Sequence, residues 1–242
     1  MEKVKKVTGY RLFLPLSCLL IVLLINLVTT PTFFKISITN GVLYGYIIDV
    51  INRASELVVL AVGMTLVVSA SAGTDISVGA VMAVAASVCT HVLAGGEVSV
   101  NEYANPYILA VLAGLAVAVL CGFNGFLVAK LKIQPMVATL ILFTAGRGIS
   151  QLVTNGQITY IRVDGYKLLG SNIPGIPIPT PIFVAVLVVV LTYVLLKKTA
   201  MGMYVQAVGI NERASRLVGL KSTKIIWMAY AFCGLCAGIA GL

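Results

Sequence analysis

Apolar residues in this chain come in long unbroken runs, not in the one-sided or alternating patterns of a water-soluble fold. The runs cover 12–28, 47–72, 76–94, 106–129, 135–153, 181–196 and 225–242. Several reach the roughly 20 residues a helix needs to cross the hydrocarbon core of a bilayer. No water is available there to satisfy backbone groups, so such runs take the helical form. The pattern predicts an all-α polytopic membrane protein: about seven transmembrane helices in one domain over 1–242. The last run is still apolar at Ala240-Gly241-Leu242, where a polar flank is expected, so the sequence reads as a shortened version or fragment of a longer helical protein.

Polar residues mark the joints. The stretch 197–224 is the one long polar interruption in the second half, and it holds Lys197, Lys198, Arg213, Arg216, Lys221 and Lys224 against the single acid Glu212. Within it Asn211 is a good N-cap, Glu212 falls in the first turn and Arg216 in the last, and Gly219 is placed as the C-terminal stop. Ala214, Leu217 and Val218 share one face at spacings of three and four, with Arg213 and Arg216 off it. A helix of about two turns does not hold itself together in water, so this one is expected to lie against a separate partner.

Composition agrees with the runs. Of 242 residues 60% are hydrophobic and 10% charged, and mean hydropathy is +1.05. A soluble domain of this size has no interior large enough for that much apolar surface. The net charge of +9 does not indicate nucleic acid, because the basic residues sit at the ends of apolar runs. With the N-terminus inside, Lys3, Lys5, Lys6, Arg11, Lys130, Lys132 and the six bases of 197–224 are internal, against Lys35, Arg162 and Lys167 outside. That asymmetry fits one orientation. The basic N-terminus and first run resemble a signal peptide. The run is long for one, however, and Thr29-Thr30-Pro31-Thr32 offers no small-residue cleavage site, so an uncleaved first span is expected. Outside, Asn155–Thr180 carries Pro174, Pro177 and Pro179 and reads as a stiff extended cover.

Candidate chemistry is sparse. Asp49, Arg53 and Glu56 are spaced to pair along one face at an outer helix end. Gly73–Gly79 joins the second and third runs in too few residues for a loop, which puts Asp75 near the membrane. An ionised carboxylate there is costly unless capped or paired, and Thr74 or Asp75 is expected to cap the third helix. A direct part for Asp75 in gating or substrate contact is the alternative, compatible with capping. Gly122, Asn124 and Gly125 mark tight helix packing, with Asn124 bonded across an interface. Gln134-Pro135 opens the fifth run, where proline at the first helical position is well tolerated. Arg147, between two glycines, either snorkels to the outer interface or lines a wet pathway. Cys233 and Cys236 have no His, Asp or Glu near them and read as small packing residues. His91 is the only histidine, no nucleophile–base pair is evident, and no phosphate-cradling glycine loop with its lysine is present. An enzyme is not indicated, and neither is a metal or cofactor in this chain.

Three extended motifs carry a resemblance: GMTLVVSASAGTDISVGAVMAV (Gly63–Val84), IQPMVATLILFTAGRGISQLVTNGQ (Ile133–Gln157) and AVGINERASRLVGL (Ala207–Leu220). Together, in this order, they resemble the permease subunits of ribose- and galactofuranose-type bacterial ABC sugar importers. Where the family reads G-I-D-L-S-V-G this chain has Gly73-Thr74-Asp75-Ile76-Ser77-Val78-Gly79, and where it has an alanine pair this chain has Ala214-Ser215. The resemblance implies an inner-membrane, multi-pass subunit that works with a second copy or a paralogous permease. It implies a separate ABC ATPase subunit that binds ATP and Mg, and an extracellular or periplasmic sugar-binding protein. It makes 197–224 the cytosolic coupling loop, with Gly209, Asn211, Glu212, Arg213, Ala214, Arg216 and Gly219 as coupling residues. Asp75, Asn124, Gln134, Thr139 and Arg147 are then candidates along the substrate route. The alternative is a secondary transporter or channel not driven by ATP, but no repeat between the halves supports it.

Overall fold

The computed structural model describes residues 13–30, 32–39, 42–120, 122–163, 165–166, 170 and 176–242. Its helices are α1 (Phe13–Thr29), α2 (Tyr46–Ser71), α3 (Val78–Ala94), α4 (Tyr107–Leu120), α5 (Phe123–Ala129), α6 (Pro135–Val153), α7 (Thr180–Lys198), α8 (Ala200–Ile210), α9 (Glu212–Leu217) and α10 (Ser222–Gly241). Among the described residues strand structure is limited to two small pairs. One is the hairpin β1 (Ser37–Thr39) with β2 (Val42–Tyr44). The other is the parallel contact of β3 (Ser99–Val100) with β4 (Tyr160–Ile161). The chain is an all-α polytopic membrane protein. By length and composition α2, α6, α7, α10 and the continuous stretch Tyr107–Ala129 suffice to cross a bilayer, and α1 and α3, at 17 residues each, reach the short end of that range.

The bundle is organised around α10, which packs against α2, α3, α4 and α5. In lipid, helices gain little by burying apolar surface against one another, so close approach at small residues holds them. A Cβ at Gly234 would lie 2.3 Å from the Ala118 carbonyl oxygen, and one at Gly125 would lie 2.8 Å from the Tyr230 Cβ. Cys233 and Cys236 are buried against Gly63 of α2, as packing residues. By contrast Val186, Leu187, Val190, Leu191 and Tyr193 of α7 are exposed, as a bilayer-facing surface should be.

One expectation holds and two are corrected. The fourth run, expected over 106–129, is covered by α4 and α5, which together make the candidate span Tyr107–Ala129, and Gly122 sits close to α10, where a Cβ would stand 2.8 Å from the Ala231 Cα. The stretch 197–224 is more than a loop with one short helix. Thr199 accepts from the Met201 amide and opens α8, which lies against α2 and α7. Asp49, Arg53 and Glu56 sit on α2 but form no ion pair with one another. All three are exposed, where solvent screens such pairs to near zero. The bases Lys3, Lys5, Lys6, Arg11 and Lys167, together with Cys121 and Pro174, lie outside the described residues.

Candidate functional site

The C-terminal end of α2, the N-termini of α3, α6 and α10, and the whole of α8 and α9 meet at one end of the bundle. There α9 is built as its sequence dictates. Asn211 is extended (φ −155°, ψ 99°) and its Oδ1 accepts from the Ala214 amide at 3.0 Å, a side-chain N-cap. At the other end Gly219 takes φ +90°. Its amide donates to the Arg216 carbonyl, while the Leu220 amide donates to the Ser215 carbonyl, the paired bonds of a glycine-terminated helix. Ser215, buried, donates through Oγ to the Ala207 carbonyl at 2.8 Å and fixes α9 to α8. Gly209 in turn seats α8 on α2: a Cβ there would fall 1.8 Å from the Ser69 carbonyl oxygen of α2.

The end of α8 and the C-terminal end of α9 present large apolar side chains outward beside the exposed Arg213 and Arg216. Ile210, Leu217 and Val218 are 87%, 90% and 83% exposed, and Arg213 and Ala214 are exposed beside them. Large side chains this open, rimmed by bases, form a surface without a partner among the described residues.

Behind this tip Glu212 collects three donors on one oxygen. Its Oε1 accepts from Lys132 Nζ at 2.5 Å, from Arg216 Nη2 at 2.6 Å and from Ser222 Oγ at 3.2 Å. Arg216 Nε also donates to Ser222 Oγ at 2.7 Å. Partial burial alone would raise the Glu212 carboxyl above its ordinary value. The two cations outweigh it and hold the group below that value.

A second cluster lies deeper. Asp75 is 6% exposed, and its Oδ1 accepts from the Ser77 amide at 2.8 Å and the Ser77 hydroxyl at 2.6 Å. Ser77 in turn accepts from Asn124 Nδ2 of α5 at 3.0 Å. Thr139 of α6 is fully buried and its Oγ1 accepts from the Ile76 amide at 3.2 Å. Asp75 therefore organises the turn before α3 through an i,i+2 side-chain bond, and the helix itself begins at Val78. The structure brings together Asp75, Asn124 and Thr139. Gln134 is exposed, and its backbone carbonyl receives the Val137 and Ala138 amides at the start of α6. Arg147 stands two turns further along α6, about 12 Å from Thr139, with its guanidinium 5.7 Å from the Phe143 ring centroid. That contact is a cation–π pair within one helix, and it separates Arg147 from the buried cluster.

Lys132, Ser222 and Ser77 are the residues that reading the sequence missed. Ser77 was within reach, because a serine two places after an aspartate often closes such a turn. Nothing local marks Lys132 or Ser222.

The comparisons agree on kind. Residues 46–242 match the family described as branched-chain amino acid transport system / permease component. The chain is 43% identical to a galactofuranose transporter permease protein of Escherichia coli K12, over 94% of its own length and 64% of the relative's. It is 38% identical to a fructose import permease protein of Bifidobacterium longum, over 84% and 56%. It is 32% identical to the ribose import permease protein of Escherichia coli K12, over 93% and 67%. The chain thus spans about two thirds or less of the length of these relatives, and no solved structure matches it significantly. On the extent of the first match and the level of the others, the chain belongs to the branched-chain amino acid transport system / permease component family.

Proposed function

We propose that the chain is the membrane-spanning translocation subunit of an ATP-driven sugar importer of the bacterial inner membrane, with its N-terminus cytoplasmic. The observation that carries this reading is the exposed apolar tip of α9. Leu217 and Val218 at the C-terminal end of this well-capped helix, and Ile210 at the end of α8 just before it, stand open among bases in the polar stretch between two apolar spans. Covering each would contribute about 1.5–3 kcal/mol. The occupant we assign is a separate ATP-hydrolysing subunit with an apolar cleft and an acidic rim to meet Arg213 and its neighbours. The named relatives act on galactofuranose, fructose and ribose, which makes a sugar the expected cargo. An external binding protein would deliver it and a second permease would complete the route. On this reading Asp75, Asn124 and Thr139 would close the cytoplasmic end of that route, with Gln134 at its rim and Arg147 further out, and the hydrogen bonds that join their segments through Ser77 and Ile76 support it. ATP and Mg belong to the partner, and this chain performs translocation without bond chemistry of its own.

The test is retention of the ATPase subunit by the detergent-solubilised chain. Leu217→Asp and Val218→Asp should weaken it about 10- to 100-fold, as loss of a central apolar anchor does, without loss of membrane insertion. Full retention by both variants, or uptake that continues without ATP, would contradict the reading and favour a secondary transporter.

A further inference from the structure

The ion pair between Glu212 and Lys132 joins residues 80 positions apart, one on α9 and one in the α5–α6 junction. We propose that Glu212 is a positioning residue: its carboxylate ties the docking helix α9 to the α5–α6 junction and to the head of α10, so that a displacement of α9 reaches α6 and the Asp75 turn through Lys132. The inference rests on the reading of α9 as the docking helix.

Four observations carry it. First, the donors come from three separate places: Lys132 from the α5–α6 junction, Arg216 from α9 itself and Ser222 from the first residue of α10. A first-turn acid that only favours its own helix dipole needs none of the distant two. Second, Lys132 has φ +58°. Residues with a Cβ rarely take this conformation, which favours glycine, and Lys132 takes it in the junction three residues past the end of α5. Such strain persists where the surroundings enforce it, and here it points the lysine at Glu212. Third, the junction is in firm contact with the buried cluster. A Cβ at Gly73 would lie 2.4 Å from the Pro135 ring, and Thr139, one turn into α6, accepts from the Ile76 amide. Lys132 is therefore three residues from the element that packs on the Asp75 turn. Fourth, a cavity of about 260 Å³ lies behind the tie, bounded by Ala72, Lys132, Gln134, Gly209 and Glu212. It leaves the joint space to hinge, where a filled interface would be rigid.

Hydrogen exchange on the full chain in lipid nanodiscs tests the tie without any partner present. Lys132→Gly relieves the strained backbone, so the variant is not expected to misfold, and it removes only the distant half of the pair. Amides of 212–218 should then exchange about 2- to 5-fold faster, the effect of losing a partly solvated ion pair, while those of α10 beyond its first turn keep their protection. Glu212→Gln should do the same, and the double variant should add little to either single change, because both break one interaction. Unchanged exchange at 212–218 in Lys132→Gly, or effects that simply add, would overturn the proposal. In the assembled importer, Lys132→Gly should keep its affinity for the ATPase subunit and raise the ATP hydrolysed per sugar moved several-fold. A normal ratio would overturn the transmission role. Partner binding that ignored Leu217→Asp would instead count against the docking reading, and the partner-free exchange data keep the two failures apart.

Discussion

Asp75 and Glu212 occupy the same end of the bundle, and each receives a serine hydroxyl, yet they are held in opposite ways. Asp75 is 6% exposed and is satisfied by Ser77 alone, amide and hydroxyl, with no cation beside it among the described residues. The Glu212 side chain is 31% exposed and is held by Lys132 and Arg216. A buried carboxylate bonded to short, neutral, local donors has little freedom, since any movement strands a polar group where no water replaces the bond. A half-exposed one gripped by two long flexible cations can let go of either and be solvated. The first arrangement suits a fixed hinge. The second suits a joint that changes partners during a cycle.

The comparison predicts a ranking of mutational cost. Asp75→Ala should be the most damaging, because it leaves the Ser77 amide and hydroxyl without an acceptor. About 2–3 kcal/mol is expected, read as a lowered midpoint of denaturant or thermal unfolding in detergent, with Asp75→Asn recovering most of it. Asn124→Leu should cost less, about 1–2 kcal/mol, because Ser77 then loses a donor but its own hydroxyl remains bonded to Asp75. Glu212→Gln should cost least in stability, about 0.5–1 kcal/mol, the range of partly solvated ion pairs, despite its effect on coupling. Were Glu212→Gln to destabilise the fold as much as Asp75→Ala, the distinction drawn here between hinge and joint would not hold.

Acidity sharpens the same contrast. The Glu212 carboxyl is lowered from an ordinary value of 4.5: burial opposes this and Lys132 and Arg216 outweigh it. A lowered folded-state value means the contribution is fully present above the unfolded value and is lost as pH falls through the folded one. The difference in unfolding midpoint between the parent chain and Glu212→Gln should therefore be flat from neutrality down to about pH 5 and close below it. A gap that widened on acidification would contradict the ion-pair description.

Much of this architecture was legible in the order of residues. The fifth run was bounded correctly because Pro135 can only open a helix, and the caps Asn211 and Gly219 were visible because each has one strongly preferred place in a helix. The packing glycines were recognisable, as was the Asn124 bond across helices. Helix α8 was masked by its setting: two lysines before it and a basic stretch after it made 197–224 read as polar, although Ala200–Ile210 is itself apolar. The gathering of Lys132, Arg216 and Ser222 on one carboxylate oxygen depends on three chain segments folding to one place, and no local spacing encodes that.

The central claim is that α9 presents its apolar tip to a nucleotide-hydrolysing subunit inside the cell. Leu217→Cys, probed with a membrane-impermeant maleimide, tests it most directly. The account predicts labelling in inside-out vesicles but not in intact cells, with protection once the ATPase subunit is bound. Labelling from the outside of intact cells, or labelling in inverted vesicles that the bound ATPase leaves unchanged, would contradict it.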